Sequence, residues 1–164
     1  MGKSYYRLLV LCLLCLSGGL SHATELTVIG WVERVVIFPE EFSLEAKIDT
    51  GADNSSIDAA DWVSFRKDGK EWIRFSVRNN QYKKEKFEKP LIHYTRIKRK
   101  EAESLKRPVV QMDLCIGGKM ISAPVNLADR NNYQYRLLIG RSALQGHFLV
   151  DSSQAHTSHP SCLR

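Results

Sequence analysis

The chain has 164 residues, 43% of them hydrophobic and 26% charged, with 24 basic side chains against 18 acidic ones and a net charge of +6. That length makes one domain, large enough to bury a real core. The basic excess is mild and is not interleaved with aromatic residues in the manner of RNA-binding surfaces, so nucleic acid is not an expected partner.

The first 23 residues read as a targeting segment. Lys3 and Arg7 give a positive start, Leu8 to Leu16 is an apolar run, and Ser21-His22-Ala23 has the small-x-small form of a signal-peptidase site. The run is short of the roughly 20 residues that span a bilayer. Residues 1–23 are therefore expected to be a cleaved signal peptide, which implies a periplasmic or secreted protein. Without Lys3 and Arg7 the net charge falls from +6 to +4. Cys115 and Cys162 then remain, and an oxidising compartment allows them to pair. Cys115 also fits an apolar strand pattern in which a buried free thiol is common, and both readings stay open.

Thr24 to Phe38 is rich in β-branched residues and reads as strand, with Gly30 marking a bulge or bend. Pro39-Glu40-Glu41 is a turn. Phe42 to Ile48 is a strand that runs into Asp49-Thr50-Gly51-Ala52-Asp53, a carboxylate followed by a tight turn of small residues. Small residues suit a place where backbone must approach something closely. Lys67-Asp68-Gly69-Lys70 predicts a hairpin joining Trp62–Arg66 to Glu71–Val77.

From Lys83 to Arg107 ten basic residues face four acidic ones, so the basic excess is concentrated there. Two strands are expected, about Phe87–Tyr94 and Thr95–Lys98, then a polar tip and a return at Lys106–Val110. Residues 83–107 read as a solvated surface hairpin that offers its charge to an anionic envelope surface. Val109 to Leu127 is a second hairpin, turned by Gly117-Gly118. Tyr135 to Ile139 is another buried strand, leading through Gly140-Arg141 into a short helix at Arg141–Gln145. Phe148–Asp151 is a last short strand. Residues 152–164 are poor in apolar side chains and are expected to be a disordered tail, leaving 24–151 as the domain. Many short strands and one short helix predict an all-β, closed-barrel domain.

The two strand-and-turn stretches, Ala46-Lys47-Ile48-Asp49-Thr50-Gly51-Ala52-Asp53 and Leu138-Ile139-Gly140-Arg141-Ser142-Ala143-Leu144, in this order, resemble the retropepsin-like aspartic peptidase family. Within it they look most like the bacterial branch linked to RimB and labelled "ATP-dependent zinc protease". The resemblance implies a retropepsin-like closed β-barrel with one short helix after the Gly140-Arg141 turn. It implies Asp49 as the catalytic carboxylate, Thr50 as the residue that holds the turn rigid, Gly51 and Ala52 as its small members, and a partly buried structural ion pair between Asp53 and Arg141. The bacterial branch usually has a basic residue in place of Asp53, so that position is closer to viral retropepsins. The basic hairpin takes the place of a flap, although Arg99 to Ser104 contains no glycine.

Peptide hydrolysis by this chemistry needs a base to activate water and an acid for the leaving nitrogen. Two carboxylates about 3 Å apart supply both by sharing one proton. A chain with one Asp-Thr-Gly offers only one of them, since Asp129-Arg130-Asn131 lacks the small residues and apolar lead-in of a second motif. Asp49 is then expected to meet its copy in a homodimer. The expected function is a periplasmic aspartic endopeptidase acting on peptides or proteins. The alternative is a non-catalytic envelope module of the same fold that binds a peptide or partner. No cofactor is expected. There is no His-Glu-x-x-His zinc motif and no phosphate-binding Gly-x-x-x-x-Gly-Lys loop. The run His156-x-x-His159-x-x-Cys162 reads as tail rather than as a metal site.

Overall fold

The structure is a computed structural model and describes residues 25–97 and 105–162. The expected signal peptide at 1–23 and the hairpin tip at Arg99–Ser104 lie outside the described residues.

Six strands close a barrel. They are β2 (Val32–Phe38), β3 (Phe42–Asp49), β10 (Leu137–Gly140), β4 (Ser55–Asp58), β9 (Lys119–Ala128) and β8 (Leu105–Ile116), in that spatial order, and β8 returns to β2. The closing seam is short, with Val36, Ile37 and Phe38 facing Cys115, Leu114 and Asp113. Alternation builds the interior: Phe42, Leu44, Ala46 and Ile48 of β3 point inward, as do Val110, Met112 and Leu114 of β8. Beyond β8 the sheet continues through β7 (Lys84–Ile97), β6 (Lys70–Arg78) and β5 (Trp62–Lys67). Ile73, Phe75, Val77 and Phe87 on these strands join the same core. Phe87 stacks on Phe75 at 5.4 Å and meets Phe42 edge-on at 5.9 Å. The all-β barrel with one short helix is thus the architecture the sequence implies, the helix being α1 (Arg141–Leu144).

Both hairpins form at their predicted turns. Asp68 and Gly69 have φ of 51° and 73°, and Gly117 and Gly118 have φ of 57° and 77°, the paired positive angles of a two-residue turn. The basic segment differs from expectation. Instead of two strands it gives one, β7, whose ladder with β8 slips between Leu91 and His93. The bulge takes up the extra residue, so pairing continues to Ile97 opposite Leu105.

The N-terminal strand divides. β1 (Thr27–Gly30) leaves the barrel and pairs in parallel with β11 (Phe148–Asp151). The division falls at Gly30, where a Cβ would stand 2.8 Å from the carbonyl carbon of Gln154. That contact marks the largest correction. Residues 152–162 are not a disordered tail; they cross the barrel as a strap. Composition misled here because the strap is held by polar groups rather than by apolar burial. Cys115 and Cys162 are joined in a disulfide, so the buried-free-thiol reading of Cys115 does not hold.

Candidate active site

Asp49 is the last residue of β3 and lies directly opposite Gly140 in the parallel β3–β10 ladder. The two chain crossings there are sewn together through backbone. Ala52 N–H donates to the Asp49 carbonyl at 3.2 Å, Arg141 N–H to the Ala52 carbonyl at 2.9 Å, and Ser142 N–H to the Asp53 carbonyl at 3.1 Å. Gly140 N–H donates to Ser55 Oγ at 3.1 Å. A Cβ on Gly140 would lie 2.6 Å from the backbone of Asn54, so only glycine allows this approach.

The Asp49 carboxylate is partly open, with 24% of its side chain exposed. Its Oδ1 accepts from Gly51 N–H at 3.0 Å. Its Oδ2 lies 3.4 Å from Lys47 Nζ. Thr50 contributes its carbonyl, which accepts from an Arg141 guanidinium N–H at 2.8 Å. The same guanidinium forms an ion pair with Asp53. The pair is exposed, at 51% and 76% of the two side chains, and not partly buried as the resemblance implies. The reason is local: Arg141 opens a four-residue helix at the surface, and its buried face is Ala143 and Leu144.

Lys47, the ion-pair partner of Asp49, also lines a cavity of about 260 Å³ together with Trp31, Arg130, Tyr133, Gln134 and Tyr135. Trp31 meets Tyr135 edge-on at 6.1 Å, and the Arg130 guanidinium lies 4.6 Å over the Tyr133 ring. Arg130 is only 7% exposed. Its Nε donates to the Tyr135 carbonyl at 3.0 Å and another guanidinium N–H to Ser56 Oγ at 3.0 Å, while its backbone N–H donates to Asp58 Oδ1 at 2.7 Å. Burial lowers the Arg130 pKa from its ordinary value and the charge of Arg107 adds to this, whereas Tyr133, Asp58 and Asp49 oppose it. Arg107 Nε is buried and has no hydrogen-bond partner among the described residues.

Sequence reading placed Asp49, the Thr50–Ala52 turn, Asp53 and Arg141, and the structure brings all of them together. It did not single out Lys47, Trp31, Arg107 or Arg130. Lys47 was accessible to pattern alone, because it sits two residues before Asp49 on one face of a strand. Arg130 lies in a loop whose sequence carries no periodicity, and only the fold brings it to the cavity that Lys47 lines.

The His156-x-x-His159-x-x-Cys162 run offers no free thiolate, since the Cys162 sulfur is bonded to Cys115. Among the described residues no three His, Cys, Asp or Glu side chains gather in a metal-binding arrangement.

The barrel and its Asp-Thr-Gly turn define a retropepsin-like protein. The family model described as "Retropepsin-like aspartic endopeptidase RimB" matches residues 28–161, and the chain belongs to this RimB-like family. The chain is 30% identical over 116 residues to a protein of Shewanella pealeana named "Probable alpha-L-glutamate ligase", covering 69% of this chain and 25% of that one. A protein of Desulfotalea psychrophila with the same name is 30% identical over 112 residues, covering 66% and 24%. The chain thus spans about a quarter of the length of the curated relatives it matches. Among solved structures, the crystal structure of a Legionella pneumophila protein of unknown function (DUF785) superposes with a TM-score of 0.71 at 30% identity, covering 80% of this chain and 97% of that one.

Proposed function

We propose that the protein is an exported aspartic endopeptidase in which Asp49 and the Asp49 of a second copy activate one water between them. The ionised carboxylate takes a proton from the water as it attacks the peptide carbonyl, and the protonated one donates to the carbonyl oxygen. Collapse of the tetrahedral intermediate then delivers a proton to the leaving nitrogen. One observation carries this reading: a partly open carboxylate, held by one amide hydrogen bond at the tip of a turn that α1 fixes through backbone. A single chain supplies one such group, so the site is complete only in a dimer. The leader-like start of the sequence supports export, and the disulfide suits an oxidising compartment.

The substrate class is an acidic peptide. Lys47 pairs with Asp49, and Lys47 and Arg130 together line the cavity walled by Trp31, Tyr133 and Tyr135, so the ground beside Asp49 is cationic and aromatic. The name of the relatives, which carries glutamate, is consistent with this. The basic β7–β8 arm extends the same charge and gives the protein a surface for anionic partners in the envelope.

A second reading, a non-catalytic binding module, is favoured by Lys47, which already answers the charge of Asp49. Incubation of the protein with acidic and neutral peptide libraries, beside Asp49→Asn, separates the two. Cleavage lost in the variant supports the peptidase. Binding without cleavage by either form supports the module, and cleavage that survives Asp49→Asn removes the aspartic mechanism.

A further inference from the structure

The segment after β11 is a polar stretch held by many hydrogen bonds, and its anchors lead to the turn next to the candidate site. Trp31 N–H donates to the Gln154 carbonyl at 2.9 Å and His156 N–H to the Val32 carbonyl at 2.7 Å. Glu33 is fully buried. Its Oε1 accepts from Thr157 N–H at 3.0 Å, Thr157 Oγ1 at 2.5 Å and Gly30 N–H at 2.7 Å. Its Oε2 accepts from Ser158 N–H at 3.3 Å and Ser158 Oγ at 2.9 Å. Cys162 is then bonded to Cys115, which faces Val36 across the β2–β8 seam. The strap therefore starts at the head of β2 and ends on β8, crossing the short ladder that closes the barrel.

Its inner neighbour is Trp31. The Trp31 carbonyl accepts from Ile48 N–H at 2.8 Å, one residue before Asp49, and its ring walls the cavity beside Lys47. Between Ser152 and Ser161 the only apolar side chains are Ala155 and Pro160. Hydrophobic burial thus contributes little to holding the strap. Hydrogen bonds exchanged with water contribute modestly, and ordering the strap opposes them. The covalent link restricts what the released strap can explore, which shifts that balance towards the bound form.

We propose that the strap is a redox-dependent latch that positions Trp31. With Cys115–Cys162 oxidised, the strap fixes the Gly30–Trp31 turn and with it the aromatic wall beside Lys47, the partner of Asp49. A dithiol reductant gives two electrons and two protons to the bond and closes to its own disulfide. Cys162 is then free, and the strap leaves Glu33. Glu33 and Cys162 are positioning residues; neither touches the reacting atoms. The latch is independent of the peptidase reading, and only its effect on turnover rests on that reading.

Hydrogen exchange of the full chain, before and after dithiothreitol, tests the latch, with alkylation mapped to Cys115 and Cys162 to report the redox state. Reduction is expected to raise amide exchange at 154–158 and 30–32 by roughly tenfold or more, while the β3–β10 ladder keeps its protection. Cys162→Ser is expected to show the raised exchange without reductant and no response to it. Glu33→Gln is expected to show a smaller rise with the disulfide intact. If peptides are cleaved, reduction is expected to raise KM more than it lowers kcat. Alkylation of both cysteines with no change in strap exchange overturns the latch. So does a rise spread evenly over the barrel, which would make the disulfide a general staple. If no form cleaves any peptide, the peptidase reading fails and the exchange result still decides the latch.

Discussion

Glu33 and Asp49 are both carboxylates close to the Trp31 turn, and they are treated in opposite ways. Glu33 is fully buried, receives five hydrogen bonds and, among the described residues, forms no ion pair. Burial alone would push its pKa up. The hydrogen bonds from Thr157, Gly30 and Ser158 outweigh that and hold it below its ordinary value of 4.5. Asp49 is partly open, receives one amide at 3.0 Å and has an amine 3.4 Å away. A carboxylate whose lone pairs are all engaged is a structural joint, whereas one with lone pairs to offer is available to water, to a substrate or to a second copy of itself. The difference separates the two: Glu33 organises the chain, and Asp49 has the openness that the proposed peptidase role requires.

The contrast breaks most decisively at Asp49. Asp49→Asn is expected to lower peptide cleavage by about 10²–10⁴-fold, the range general acid–base groups supply, with the unfolding midpoint nearly unchanged. Parallel assays of cleavage and thermal unfolding check this. Loss of fold together with activity would place Asp49 among the structural groups. The turn that carries it is expected to be far less tolerant. Gly140→Ala forces a methyl against the Asn54 backbone from 2.6 Å, and overpacking against rigid backbone is expected to cost about 3 kcal/mol in urea unfolding.

Glu33→Gln sharpens the other side. It leaves the buried Gly30 N–H and the part-buried donors of Thr157 and Ser158 poorly satisfied, at an expected cost of about 1–3 kcal/mol. The pH dependence has a definite sign. Because the folded pKa lies below 4.5, the Glu33 contribution is fully present above the unfolded value and is lost as pH falls from there through the folded value. Wild-type stability is therefore expected to drop on the acid side of 4.5, and Glu33→Gln is expected to flatten that part of the curve. Urea midpoints at a series of acidic pH values measure both.

Much of this was legible before the structure. Strand alternation, two glycine turns and the Asp49 and Gly140-Arg141 stretches carry the barrel and the placement of Asp49, because each is a local pattern with a local cause. The strap was not legible. Its sequence is polar and its anchors are long-range, with Glu33 more than a hundred residues from Thr157 and Ser158. Low apolar content reads as disorder only when nothing polar elsewhere is waiting to receive it. Glu33 itself gave no signal, since a lone acidic residue in an amphipathic strand reads as solvent-facing. Arg130 was hidden for the related reason that its place on the cavity wall depends on tertiary closure of the barrel.

The smallest expected effect is at the Asp53–Arg141 pair, and it separates the two things that Arg141 does. The resemblance implies a partly buried pair, for which loss of one partner leaves a costly unpaired charge. The observed pair is exposed, so solvent screens it and the remaining side chain rehydrates. Asp53→Asn is expected to cost no more than about 1 kcal/mol, and less at high salt. Arg141→Ala is expected to cost more, because it also removes the donor to the Thr50 carbonyl at 2.8 Å. Urea unfolding of the single and double variants measures this in a double-mutant cycle. A coupling energy near zero with a measurable Arg141→Ala cost would show that Arg141 holds the Asp49 turn through backbone rather than through charge. A large coupling would show instead that Asp53 fixes the guanidinium in place, and that the turn depends on the ion pair after all.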